Sequence, residues 1–149
     1  MIEFHRILVP IDFSEHSQHA LDRAVELART FDAELHLLHC YAIGPGAFTL
    51  YGVAIPESFE HEFRAAAAKQ LAEWGGKARA AGCRVQEHLS ARMPAEEIAA
   101  IARDVGADLI VIGTRGLSGI KHVLLGSVAE RTIRIAPCPV LTVKHPEAH

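Results

Sequence analysis

A chain of 149 residues with 15 Lys and Arg against 18 Asp and Glu carries a net charge of −3; it is half hydrophobic and 22% charged. That composition excludes a disordered polyelectrolyte, and the slightly acidic balance offers no electrostatic footprint for a nucleic-acid partner. The length suits a single domain over residues 1–149, burying roughly 68–70% of the surface its unfolded chain exposes.

Ile7 to Ile11 is a short apolar run ending at Asp12, and it predicts a buried first strand. Ser14 then caps a helix with Leu21, Ala24, Val25, Ala28 and Phe31 at helical spacing. Leu35 to Tyr41 predicts a second strand. A long helix is expected from near Pro56 toward Gly82, with Phe59, Phe63, Ala67, Leu71 and Trp74 on one stripe. Gly75 and Gly76 predict a bend or break in it, at about 1 kcal/mol per glycine relative to alanine. Arg84 to Leu89 is more polar and predicts a strand at a sheet edge. Pro94 suits a first helical position, Glu96 and Glu97 its first turn, and Gly106 its end. Asp108 to Gly113 is a clear buried strand. Ser127 and Glu130 form a capping box that opens another helix, Pro137 stops it, and Val140 to Val143 is the last strand. Strands separated by helices predict an α/β fold, an open parallel sheet covered on both faces.

Cys40, Cys83 and Cys138 form no CxxC pair or Cys/His cluster, so small buried thiols in a reducing compartment are expected. No apolar run approaches the ~20 residues of a spanning helix. Glu3 interrupts the start, and Ile7 to Val9 is too short for a secretory core. A cytoplasmic protein with no membrane partner is expected. His16 and His19 share a helix face, while His36 and His39 point to opposite sides of a strand. No third ligand has suitable spacing, so no metal site is assigned. Residues 40–56 hold no Asp, Glu, Lys or Arg; so apolar a connection suits a cover for a ligand, a partner surface, or packing on its own sheet edge.

Ligands of open parallel sheets collect beyond the carboxyl ends of the strands, where strand order reverses. Asp12 stands at one such end. At another, Gly113, Gly116 and Gly119 lead through Lys121 and His122 to Gly126 and Ser127. Glycines let several backbone N–H groups face one concavity, and a helix start adds free amides that favour an anion. Ser127 is placed to cap that helix and to donate its hydroxyl to phosphate, with Arg115 nearby. GxxxxGK[ST] and an early GxGxxG are both absent.

The spacing Gly113-x2-Gly116-x9-Gly126-Ser127 resembles the ATP-binding signature of the universal stress protein family. The run Ile7 to Asp12, Leu37 to His39, Ala107 to Gly113, Leu125 to Val128 and Pro137 to Leu141 match its other landmarks in order. The resemblance implies an adenine nucleotide alpha hydrolase-like fold with strand order 3-2-1-4-5. It implies that Pro10, Ile11, Asp12 and the Cys40 backbone flank the adenosine. Gly113 would approach ribose and phosphates, while Gly116, Gly126, Ser127 and Val128 hold the phosphate chain. The implied ligand is ATP, or ADP or AMP, with magnesium carried on the phosphates. A homodimer through Val140 to Val143 is implied as well. Arg92 stands in a turn where the family often has glycine, either adding a cation near the ligand or narrowing the adenine side. No catalytic residue is assigned, since no positioned base accompanies the loop. A regulatory nucleotide-binding module with little or slow hydrolysis is expected; a slow ATPase or phosphotransfer enzyme and a dimeric interaction module with a vestigial pocket are the alternatives.

Overall fold

The computed structural model describes residues 1–41, 57–115 and 125–146. Among them, strands β1 (Arg6–Pro10), β2 (Glu34–Cys40), β3 (Val85–Ser90), β4 (Leu109–Gly113) and β5 (Val140–Val143) form one sheet in the order β3-β2-β1-β4-β5. Every pairing is parallel. Helices α1 (Glu15–Phe31), α2 (Glu57–Ala80), α3 (Pro94–Val105) and α4 (Ser127–Ile135) alternate with the strands.

Alternation along each strand sorts the core into two layers. Ile7, Val9, Leu35, Leu37 and Val111 pack with Ala20 and Ala24 of α1 and Leu71 of α2. On the other face Leu8, Leu38, Ile110 and Ile112 meet Ile98 and Ala102 of α3 and Ala129 of α4. β1 and β4 therefore bury both faces, which explains why their sequences read as continuous apolar runs. β3 and β5 lie at the edges, as predicted. Strand order reverses between β1 and β4, so the crevice of the sheet opens beyond their carboxyl ends.

Local signals set most helix ends. Ser14 caps α1 by accepting from the Ser17 N–H, and Gly106, at φ 68, closes α3 in the left-handed region. Two expectations fail. α2 runs unbroken through Gly75 and Gly76. A side chain at Gly75 would start 2.6 Å from Glu87 Oε2, whose carboxylate pairs with Arg79 at 2.7 Å; the glycine admits β3 closely instead of breaking the helix. Along the stripe, Ala67 and Leu71 are buried, whereas Phe59 and Phe63 are exposed.

The histidines of β2 obey the alternation. His39 faces the α1 side, where its Nδ1–H donates to the Ile11 carbonyl at 2.7 Å. His36 is buried on the other side, its Nδ1 3.0 Å from His88 Nε2 of β3. Its Nε2 lies 2.6 Å from Glu34 Oε1 but outside hydrogen-bond alignment. Burial, and then the neighbouring His36, lower the His88 pKa below its ordinary 6.5; Glu34 opposes them less strongly. The unfolded chain takes up the His88 proton near 6.5 and the folded chain only at lower pH. Stability from this group is thus complete above that value and is lost as pH falls through it. Chemical denaturation across mildly acidic pH should show this loss, with a shallower slope in His88→Gln. Equal slopes would remove His88 as a cause.

Candidate functional site

One wall of the crevice comes off β1. The Ile11 N–H donates to the Leu38 carbonyl at 2.8 Å, extending the parallel ladder one step beyond the strand. Asp12 Oδ1 then accepts from the Ser14 N–H at 3.0 Å and from the Ser14 hydroxyl at 2.5 Å. The carboxylate is held at the start of α1, where the helix dipole favours negative charge. Between them Phe13 adopts φ 65, a left-handed conformation unusual outside glycine. Its ring packs edge-on to Trp74 at 5.3 Å and tilts against His39 at 4.4 Å. This aromatic clamp holds the strained turn that presents Asp12.

The opposite wall is built by β4 and α4. The Thr114 N–H donates to the Val143 carbonyl at 3.2 Å, and the Thr114 carbonyl accepts from the Gly126 N–H at 2.5 Å. That second bond brings the entry and exit of the glycine-rich loop together, so Gly113 and Arg115 stand beside the first turn of α4. The helix cap differs from the sequence expectation. Gly126 is the cap, with extended ψ 162, and its carbonyl accepts from the Glu130 N–H at 3.0 Å. Ser127 is therefore the first helical residue, no side chain caps the helix, and the predicted capping box does not form; the Glu130 carboxylate pairs with Arg134 instead. The physical consequence favours an anion, because the amides of Ser127, Val128 and Ala129 have no acceptor within their own helix.

Between these walls lies a cavity of about 240 Å³. Pro10, Ile11 and Asp12 border it from β1, Cys40 from β2, Gly113 and Arg115 from β4, and Gly126, Ser127 and Val128 from α4. Gly116, Lys121, His122 and the connection from residue 42 to 56 lie outside the described residues. Sequence reasoning missed the apolar floor made by Leu38, Ile98 and Ile112, together with Thr114 and Pro94. Strand and helix periodicity marked Leu38, Ile98 and Ile112 as core; only the packing shows that the core surfaces here.

Charge in the cavity is uneven. Burial pushes the Cys40 thiol up from 9.0 to about 12, and the Glu97 carboxylate adds to that. Glu97, in the first turn of α3 as the sequence predicts, is itself buried. Arg92 is not among the described residues that border the cavity. Its side chain is 83% exposed, and its Nε lies 3.8 Å from Glu97.

Comparison with known proteins agrees with this architecture. Residues 3–144 match the Universal stress protein family. Universal stress protein YxiE of Bacillus subtilis is 38% identical over 150 residues, covering 95% of this chain and 99% of its own. A universal stress protein solved in complex with cAMP is 30% identical, with TM-score 0.67, covering 96% of this chain and 98% of its own. The universal stress protein from Archaeoglobus fulgidus, solved in complex with dAMP, is 26% identical, with TM-score 0.67 and coverage of 97% and 100%. The sheet order, the covering helices and these matches agree: the fold is adenine nucleotide alpha hydrolase-like, and the chain belongs to the universal stress protein family.

Proposed function

We propose that the chain is a cytoplasmic regulatory or stress-response module that binds an adenine nucleotide in this cavity, ATP foremost. The observation that carries the reading is the pairing of an apolar floor with a helix start, Gly126 to Ala129, that lines the same 240 Å³ space. Adenine packs on Ile11, Leu38 and Ile98 near Cys40, with Asp12 toward the ribose. Phosphates lie on the amides of Ser127 and Val128, with Arg115 and Gly116 at the loop, and magnesium rides on the phosphates. Relatives solved with cAMP and dAMP support an adenine nucleotide as the ligand class.

Hydrolysis is slow or negligible in this reading. Asp12, the only carboxylate among the described residues that line the cavity, accepts two hydrogen bonds from Ser14 at the α1 cap, which disfavours it as a base. Two chains pair through β5, an edge strand with Leu141 exposed; a monomeric mass by light scattering would overturn this. No nucleic acid or membrane partner is required. Among the described residues no helix is long and apolar enough to cross a membrane, and recovery with the membrane fraction would count against the cytoplasmic placement.

The deciding experiment is thermal unfolding of nucleotide-stripped protein. One cooperative transition is expected for residues 1–149 as a single domain. Mg-ATP at 100 times its dissociation constant should add about 2.7 kcal/mol, which is a rise of roughly 5–10 °C in Tm for this size. GTP should give little. Gly126→Val should lose the ATP shift while still folding, since Gly126 at φ −71 and ψ 162 has a backbone any residue adopts. No shift with ATP, ADP, AMP or cAMP would refute nucleotide binding; steady phosphate release over many turnovers would refute the non-enzymatic reading.

A further inference from the structure

The fold brings a third imidazole to the pair on α1. His145, just beyond β5, has its ring centre 5.2 Å from that of His16 and 5.9 Å from that of His19, at interplanar angles of 55° and 60°. The His145 side chain is only 19% exposed, and its Nε2 is 3.6 Å from Glu15 Oε2. His16 Nδ1 is buried without a hydrogen-bond partner. Imidazole nitrogens bind a tetrahedral zinc ion at about 2.0–2.1 Å, which sets the ring centres roughly 5 Å apart. The two separations from His145, 5.2 and 5.9 Å, lie near that value, and His16 and His19 are three residues apart on α1, a spacing that puts them on one helix face. Among the described residues no three donors already converge as a metal-binding group. The rings are turned against one another, and χ rotation is the movement that would re-aim their nitrogens.

We propose that His16, His19 and His145 form a three-imidazole site for a zinc-class divalent ion, with the Glu15 carboxylate as fourth ligand. Nitrogen-rich donors favour such an ion over magnesium, so this site is separate from a magnesium carried on nucleotide phosphate. The electrostatics at His16 are mixed: burial, His145 and the Arg115 guanidinium disfavour its protonated form, and the Asp12 and Glu15 carboxylates oppose them less strongly. The first turn of α1 would thereby be fastened to the segment after β5, beside the crevice.

Cobalt(II) titration of the tag-free full chain near neutral pH tests the site, because four-coordinate cobalt absorbs visibly and far more strongly than six-coordinate cobalt. About one equivalent should bind with the strong four-coordinate spectrum, and zinc should displace it. His145→Gln should weaken binding by at least about tenfold, while its metal-free unfolding and its response to nucleotide stay those of the parent. A weak six-coordinate spectrum, or unchanged affinity in His145→Gln, would overturn the proposal. His16→Gln provides a second check on α1. The readout is independent of nucleotide, so failure of the metal site leaves the proposed function standing, and the reverse holds.

Discussion

Gly113→Val is expected to lower Tm by roughly 4–8 °C or more, the equivalent of about 2 kcal/mol in a domain of this size. A Cβ at Gly113 would lie 2.9 Å from the His16 carbonyl oxygen and 3.0 Å from its carbon. Those are backbone atoms in the first turn of α1, which cannot step aside as the end of a flexible side chain can. The helix start would have to move away from β4, and overpacking of this kind costs about 1–3 kcal/mol. The displacement would also shift Ser14 and, through its two hydrogen bonds, the Asp12 carboxylate. The variant should therefore lose nucleotide affinity together with stability, whereas Gly126→Val should lose affinity alone. Denaturant unfolding and nucleotide titration of both variants check this contrast. An unchanged Tm in Gly113→Val would show that α1 does not bear on the strand end as described.

Cys40 should resist alkylation in the folded protein, its thiolate fraction at a given pH standing about 1,000-fold below that of an ordinary thiol. Only the thiolate attacks, and each unit of pKa reduces it tenfold at a given pH; the Cys40 thiol stands at about 12 instead of 9.0. Burial raises Cys83 and Cys138 as well, so the native chain should stay almost unlabelled by iodoacetamide while the denatured chain reacts fully. The labelling rate should climb steadily with pH over about 7–9, with no plateau in that range. Peptide mapping after a timed pulse would measure it. A plateau near neutral pH at Cys40 would mean a stabilised thiolate, and the cavity would then hold a nucleophile in place of a neutral wall. With its thiol protonated, Cys40 meets the proposed adenine as a weakly polar surface.

Much of the fold was legible because local signals carried it. Alternating buried strands and amphipathic helices, Ser14, Pro94 and Gly106 at helix ends, and the polar third strand all follow from side-chain periodicity and backbone preference. These act within a few residues. The same locality explains the failures. Gly75 and Gly76 read as a break because glycine is costly in an isolated helix, while the close approach of Glu87 that accommodates Gly75 comes from a strand later in the chain. Ser127 read as a cap from its residue type; the bond between Gly126 and Thr114 fixes the loop exit so that the helix starts one residue earlier than read.

The sequence by itself determined the strand and helix pattern, the paired strand ends carrying Asp12 and Gly113, and the spaced glycines that mark the loop. Each is a property of a short run of residues. Tertiary structure alone decided that Leu38, Ile98 and Ile112 surface as a cavity floor, that burial and the Glu97 carboxylate raise Cys40, that Arg92 is not among the described residues bordering the cavity, and that His145 joins His16 and His19. All of these depend on contacts between segments far apart in the chain, and such contacts leave no periodicity in the sequence to read.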